Sequence, residues 1–103
     1  MMRLSRDYEE IARIIMRIGE ANAWSAEEYV RDKVTIKSVL LKLYTDNLLG
    51  SQSYHIRCGV VGNKNTPLSL IEIAAVRDES PIVKEAARKA LIQRFRVDMN
   101  IKN

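Results

Sequence analysis

The sequence predicts an all-α fold, a right-handed stack of five or six short helices in antiparallel pairs. Residues 68–84 repeat the apolar pattern of residues 41–57 at a shift of 27 positions, which is typical of stacked helix pairs. The aligned positions are Leu41, Leu43, Tyr44, Leu48, Leu49, Ile56 and Arg57 on Leu68, Leu70, Ile71, Ala75, Val76, Val83 and Lys84. Thr66-Pro67 and Ser80-Pro81 are matching helix-start signals. Glycine and proline are scarce, which argues against both disorder and a turn-rich β-sandwich.

The length of 103 residues leaves room for one domain with a single hydrophobic core. Hydrophobic residues make up 47% of the chain and charged residues 29%, an ordinary globular mixture. Because a helical stack needs its open apolar face covered, we expect residues 1–35 to form capping helices. Residues 36–96 are then two repeat units, and residues 97–103 are a tail.

The single cysteine and the absence of long apolar runs indicate the cellular compartment of the protein. The chain has one cysteine, Cys58, so no internal disulfide can form, and a reducing environment is favoured. No stretch of about 18 apolar residues occurs, and no apolar run follows a basic start. We therefore expect a cytoplasmic protein with no membrane segment.

The second helix has the strongest start signal in the chain. Ser25 is a good N-cap, Glu28 three residues later completes a capping box, and Trp24 and Tyr29 occupy the positions of a hydrophobic staple. Residues 26–48 could form one helix or two. The β-branched cluster Val34, Thr35 and Ile36 favours a break, with the next helix beginning near residue 36.

Local signals predict two other helices in the first two thirds of the chain. The first helix is predicted to begin after Ser5 as N-cap and to end near Gly19. Residues 47–53 form a polar joint, and a short helix over 54–61 follows, closed by Gly62.

The helix that follows Pro67 is predicted to be the central element. Thr66 supplies the cap oxygen and Pro67 takes the first helical position. Apolar residues surround this helix on nearly all sides, and Glu72 is the only charged residue among them, so we expect it to be sandwiched between neighbours. These residues are Leu68, Leu70, Ile71, Ile73, Ala74 and Ala75. The last helix is predicted to run from Ser80-Pro81 to about Arg96. Its inner face comprises Val83, Ala86, Ala87, Ala90 and Leu91.

Two short motifs within residues 41–96 resemble parts of known helical repeats. Asp78 precedes Lys84 by six residues across a Ser-Pro turn, similar to the acid-base pattern of a HEAT repeat. The pair Ile56 and Arg57, before a short helix, is similar to the leucine-rich repeat variant class. The resemblance implies a scaffold that recognises partners, usually proteins and sometimes nucleic acid, and it implies no reaction.

His55 and Cys58 lie three residues apart, a spacing that could share a metal ion or pair a base with a nucleophile. Two ligands make a poor metal set, and the sequence shows no third group to orient the pair. We therefore expect Cys58 to be a buried apolar residue and His55 to sit at a helix start, with no metal, cofactor or enzymatic activity. Gly59 and Gly62 are interpreted as a close-packing position and a helix stop.

The formal net charge is +4, and the excess lies toward the C-terminus. Arg57 and Lys84 occupy equivalent repeat positions, so with Arg88 and Lys89 they could form a basic stripe that binds DNA or RNA without sequence preference. The favoured interpretation is that Lys84 pairs with Asp78 across its own turn while Arg57 is a cap or is solvated.

The last helix carries the main functional prediction. Ile92 and Phe95 fall outside its inner stripe, so either other parts of the chain cover them or they are exposed. Candidate covers are the N-terminal helices and the tail residues Val97, Met99 and Ile101. If exposed, Leu91, Ile92 and Phe95 would anchor a protein partner, with Arg88 and Arg96 as a charged rim. This predicts a non-enzymatic regulator or adaptor, and self-association into a homodimer is an alternative use of the same surface.

Overall fold

The computed structural model describes the backbone of residues 2–102 and the side chains of residues 6–96. The described part of the chain is all α-helical and contains no strand, which confirms the predicted fold class. Its helices are α1 (Met2–Ala21), α2 (Ala23–Lys33), α3 (Lys37–Thr45), α4 (Ser53–Gly62), α5 (Leu68–Arg77) and α6 (Pro81–Lys102), with a 3₁₀ turn at Gly50–Gln52. The repeat stack and its N-terminal cap stay predictions. None of the described helices is both long enough and apolar enough to cross a membrane.

The first two helices begin earlier than their predicted caps. Helix α1 already includes Ser5 and continues past Gly19, where a Cβ atom would lie only 2.5 Å from a methyl carbon of Leu49. Helix α2 is capped by Asn22, whose side chain accepts a hydrogen bond from the Trp24 amide at 2.9 Å. The predicted helix start at Ser25 is therefore wrong by about one turn. Asn is as good an N-cap as Ser, and the start at Asn22 gives a longer helix.

The predicted hydrophobic staple is also wrong. The Trp24 side chain is largely exposed, and its ring packs edge-on against the His55 ring with the ring centres 5.0 Å apart. Tyr29 packs instead against the hydrophobic core. With the cap at Asn22, both aromatic residues lie inside α2 and cannot meet across its start.

The predicted break between α2 and α3 is confirmed. Helix α2 ends at Lys33, and Val34 has extended backbone angles, φ −80° and ψ 129°. The buried Asn63 side chain satisfies carbonyl groups at this end, since its amide donates to Val30 O at 2.7 Å and to Val34 O at 2.6 Å. The β-branched residues therefore coincide with a helix end that a distant amide stabilises.

Helix α4 is the centre of the molecule. It packs against α2, α3 and α6, and residues 55–61 are all buried. The N-terminal core cluster consists of Ile15, Ala26, Val30, Val34, Val39, Leu40, Leu43, Ile56 and Val60. The C-terminal core cluster consists of Cys58, Val61, Ile71, Ala74, Ala75, Val83 and Ala87. Both clusters include residues of α4, so this helix joins the two halves of the core.

The prediction that α5 is central is wrong. This helix packs mainly against α6, and Ile73 and Val76 remain 54% and 72% exposed. An apolar surface on all sides favours a sandwiched helix, but α5 has a close neighbour on one side only. Helix α4 takes the central position instead, because small residues such as Gly59 let neighbouring helices pack close to its backbone.

One of the two predicted proline-associated caps is confirmed. The Ser80 hydroxyl accepts from the Val83 amide at 3.4 Å at the start of α6. The Thr66 hydroxyl instead donates to Val60 O at 2.5 Å, and Pro67 is the N-cap residue of α5 without a side-chain cap bond. Thr66 is almost completely buried, so its hydroxyl needs a partner within the core and shares the Val60 carbonyl with the Asn63 amide.

Candidate functional site

Arg57, one of the predicted stripe residues, is buried in an ion pair. It is 8% exposed, and its Nε and Nη2 atoms lie 3.0 and 3.4 Å from the two carboxylate oxygens of Asp78. Its Nη1 atom donates to the Ser53 hydroxyl at 3.1 Å. Asp78 also accepts from the Tyr44 hydroxyl at 2.5 Å and from the Ser80 amide at 2.9 Å. Arg57 is therefore not available to a phosphate group, which corrects the predicted stripe.

The predicted pairing of Lys84 with Asp78 is replaced by this ion pair. Arg57 belongs to α4 and Asp78 to the turn before α6, so the bond joins α4 to the connection between α5 and α6. The planar guanidinium can bind both carboxylate oxygens at once, which a lysine ammonium cannot do. Burial first, and then Asp78, raise the pKa of Tyr44 above its ordinary value. The remaining stripe residues are Lys84, half-buried, with Arg88 and Lys89, which are exposed.

His55 is paired with an acidic residue, Glu27, which the sequence did not reveal as its partner. Its Nδ1 atom lies 2.8 Å from the Glu27 carboxylate of α2, and its ring stacks on Tyr54 with centroids 4.3 Å apart. Burial first, and then Glu27 and Asp78, raise the pKa of Cys58 to about 12. A thiol with that pKa is neutral at pH 7 and is a weak nucleophile and a weak metal ligand.

No cluster of three potential metal ligands occurs within the described residues. His55 and Glu27 form a hydrogen-bonded pair, and Cys58 contributes a buried apolar side chain to the C-terminal core cluster. The Glu27–His55 pair therefore joins α2 to α4.

A groove of about 810 Å³ opens between α2, α4 and α6. It is lined by Glu27 and Arg31 of α2, by Cys58, Val61 and Gly62 of α4, by Lys64 and Leu68, and by Ala86, Lys89, Ala90, Gln93, Arg94 and Phe95 of α6. Small apolar side chains of α4 and α6 lie beside long basic ones. Concave, largely apolar surfaces with a few polar groups are the usual form of a binding site.

Two of the four basic side chains in the groove are held by nearby groups. The Arg31 guanidinium pairs with the adjacent Asp32 at 2.9 Å on the surface. Arg94 donates to Asn63 O at 3.1 Å and to Lys64 O at 3.2 Å, where the chain leaves α4. Arg94 therefore fixes the wall formed by α6 against the loop after α4.

The other two basic side chains keep their charge available. Lys64 and Lys89 are exposed, and neither forms an ion pair with any other described residue. The one acidic residue that lines the groove, Glu27, contacts His55. The groove is therefore predominantly basic.

Ile92 and Phe95 lie on the surface of α6. They are 54% and 53% exposed, as expected if no other element covers them. Helix α6 continues to Lys102, six residues beyond the predicted end, so residues 97–102 extend the helix instead of turning back. The side chains of the predicted cover, Val97, Met99 and Ile101, lie outside the described residues.

The other predicted interface residues divide into two groups. Leu91 is half-buried and packs against the C-terminal core cluster, so less of its side chain is accessible, and its role as a partner anchor stays a prediction. Arg88 and Arg96 are exposed and can form a charged rim. Phe95 lines the groove as well as the outer face of α6.

The sequence did not reveal the contributions of Arg31, Lys64 and Arg94 to the groove. They come from α2, from the loop after α4 and from α6, and only tertiary packing brings them together. A sequence pattern with a fixed spacing could not have identified them.

No protein-family model, curated protein or solved structure matches the chain. The resemblance to HEAT repeats and leucine-rich repeat variants stays a prediction. The functional proposal therefore depends on the geometry of α6 and the groove beside it.

Proposed function

We propose that this protein is a non-enzymatic binding module that holds a protein partner along α6. The observation that carries the proposal is the exposure of Ile92 and Phe95, about half of each side chain, on a helix that borders a groove. Exposed apolar side chains next to basic ones are typical of protein interfaces, where aromatic and arginine residues often provide most of the binding energy.

Helix α6 can supply both parts of such an interface. Ile92 and Phe95 are the apolar anchors, and Arg88 and Arg96 form the rim. A module of this size suits a small regulator or adaptor. The single buried Cys58 favours a reducing compartment, which we propose to be the cytoplasm.

We also propose that α3–α4 and α5–α6 are two HEAT-like units with α1 and α2 as their cap. Ile56 and Val83, equivalent in the sequence repeat, are both completely buried near the starts of α4 and α6. Equivalent burial at equivalent positions supports a repeated helix pair. Nucleic-acid binding has less support, because Arg57 is buried and bound to Asp78.

Polar substitutions on α6 test the proposed function. We expect Ile92→Ser and Phe95→Ser, made separately, each to weaken binding of the partner captured from native lysate about thirtyfold or more, the effect of truncating an interface hot spot. Partner identity would come from mass spectrometry. The thermal unfolding midpoint should change little, because substitutions of exposed residues usually cost less than about 0.5 kcal/mol.

Ile82→Ser is the matched control, because Ile82 is 57% exposed at the other end of α6. It should leave capture unchanged. Equal loss of capture in all three variants, or full capture by both test variants, would contradict the proposed surface. Unfolding of both test variants would show that the two side chains belong to the core.

A further inference from the structure

We infer that the groove between α2, α4 and α6 receives an acidic segment of the partner that also carries apolar side chains. This inference rests on the proposed function and names the chemistry of the partner. It depends on the charge of the groove, on the apolar character of its floor and on the exposed ring at its edge.

The charge of the groove selects an acidic occupant. Lys64 and Lys89 have exposed ammonium groups on two different elements, the loop after α4 and helix α6. Arg94 adds positive charge at a position fixed by two backbone carbonyl groups, whereas Asp32 offsets the charge of Arg31. Complementary charges of this kind steer association and fix the register of a bound chain.

The floor of the groove selects apolar side chains in the same segment. Ala86, Ala90 and Leu68 offer accessible apolar surface, whereas Cys58 and Val61 are only 7% and 1% exposed. Phe95 adds an exposed aromatic ring that lines the same groove. Burial of apolar side chains against this floor would supply hydrophobic free energy that purely electrostatic contacts lack.

The same features disfavour a nucleic acid as the occupant. Phosphate groups require basic side chains and polar donors, and single strands also require several aromatic stacking surfaces. The groove instead has an apolar floor and one aromatic ring, Phe95. A protein segment with both acidic and apolar side chains fits the lysines, the floor and the ring, while the Glu27 carboxylate is held by His55.

Fluorescence anisotropy with the full chain tests the inference directly. The probe is a labelled peptide with leucine and glutamate at helical spacing. One control peptide replaces each glutamate by lysine, another replaces each leucine by serine, and a labelled single-stranded oligonucleotide tests the nucleic-acid alternative. We expect the leucine–glutamate peptide to bind at least about tenfold more tightly than the three controls, because like charges and missing apolar contacts both cost affinity.

Charge reversal in the groove provides the matched protein variants. The double variant Lys64→Glu/Lys89→Glu should weaken binding of the leucine–glutamate peptide by about tenfold or more, since attraction becomes repulsion at two sites. Lys37→Glu is the control, because Lys37 is exposed at the start of α3 and does not line the groove. It should bind like the wild type.

Four outcomes would overturn the inference: no binding of the leucine–glutamate peptide, equal binding of a control peptide, tighter binding of the oligonucleotide, or full binding by the double variant. The proposed function can survive each of them. It would still stand if Ile92→Ser and Phe95→Ser abolish capture of the natural partner while the double variant captures it normally. Loss of capture and of peptide binding in the double variant, with both retained by Lys37→Glu, would support both.

Discussion

Replacement of Asp78 by alanine should lower the free energy of unfolding by about 3–5 kcal/mol, because it leaves the buried Arg57 guanidinium without its counter-charge. The Tyr44 hydroxyl and the Ser80 amide lose their acceptor at the same time. A domain of this size is usually stable by only about 5–15 kcal/mol, so the loss is a large part of the total. Urea denaturation monitored by circular dichroism measures it.

Two further variants distinguish loss of the ion pair from a general effect of substitutions in the turn before α6. Glu79→Ala removes the neighbouring, exposed acid and should change stability by less than about 0.5 kcal/mol. Adding Arg57→Met to Asp78→Ala should recover part of the loss, because no unpaired buried charge remains. If Asp78→Ala costs no more than Glu79→Ala, the buried ion pair does not stabilise the fold.

Gly59→Ala should be nearly as damaging. A Cβ atom at this position would lie 2.7 Å from the Glu27 carbonyl oxygen and 2.8 Å from the Val30 Cβ atom, so α2 would have to move away from α4. Overpacking against a backbone atom should cost about 3 kcal/mol or more, which exceeds the gain of about 1 kcal/mol in helix propensity. We expect the thermal unfolding midpoint to fall by more than about 10 °C in a domain of this length.

Gly62→Ala is the matched control on the same helix. Its Cβ atom would be 3.4 Å from carbon atoms of the Arg31 side chain, an ordinary contact with a flexible group. The unfolding midpoint should stay the same or rise, because alanine favours a helix more than glycine does. Equal losses for Gly59→Ala and Gly62→Ala would argue against close packing of α2 on α4.

Features of the fold that depend on local signals could be predicted from the sequence. The break after Lys33 follows from three consecutive β-branched residues, and the start of α6 follows from Ser80-Pro81. The inner face of α6 follows from its helical period, and Val83 and Ala87 are completely buried. Each of these depends on residues within a few positions of one another.

Features that depend on distant residues could not be predicted in this way. Arg57 and Asp78 are 21 positions apart, and the nearer base Lys84 was an equally good partner by spacing. Asn22 and Ser25 are both suitable N-caps, so local chemistry could not decide where α2 begins. The groove is less predictable still, because its basic residues lie on separate elements that only packing around α4 brings together.

The central claim, that the groove beside α6 receives an acidic segment of a partner that also carries apolar side chains, is tested most directly by nuclear magnetic resonance. The isotope-labelled protein is titrated with the leucine–glutamate peptide while its backbone amide signals are followed. Binding at the proposed site predicts the largest shifts at Lys64, Lys89, Ile92 and Phe95, with little change at Lys37. Shifts concentrated on α1, α3 or the outer face of α5, or no shifts at all, would contradict the claim.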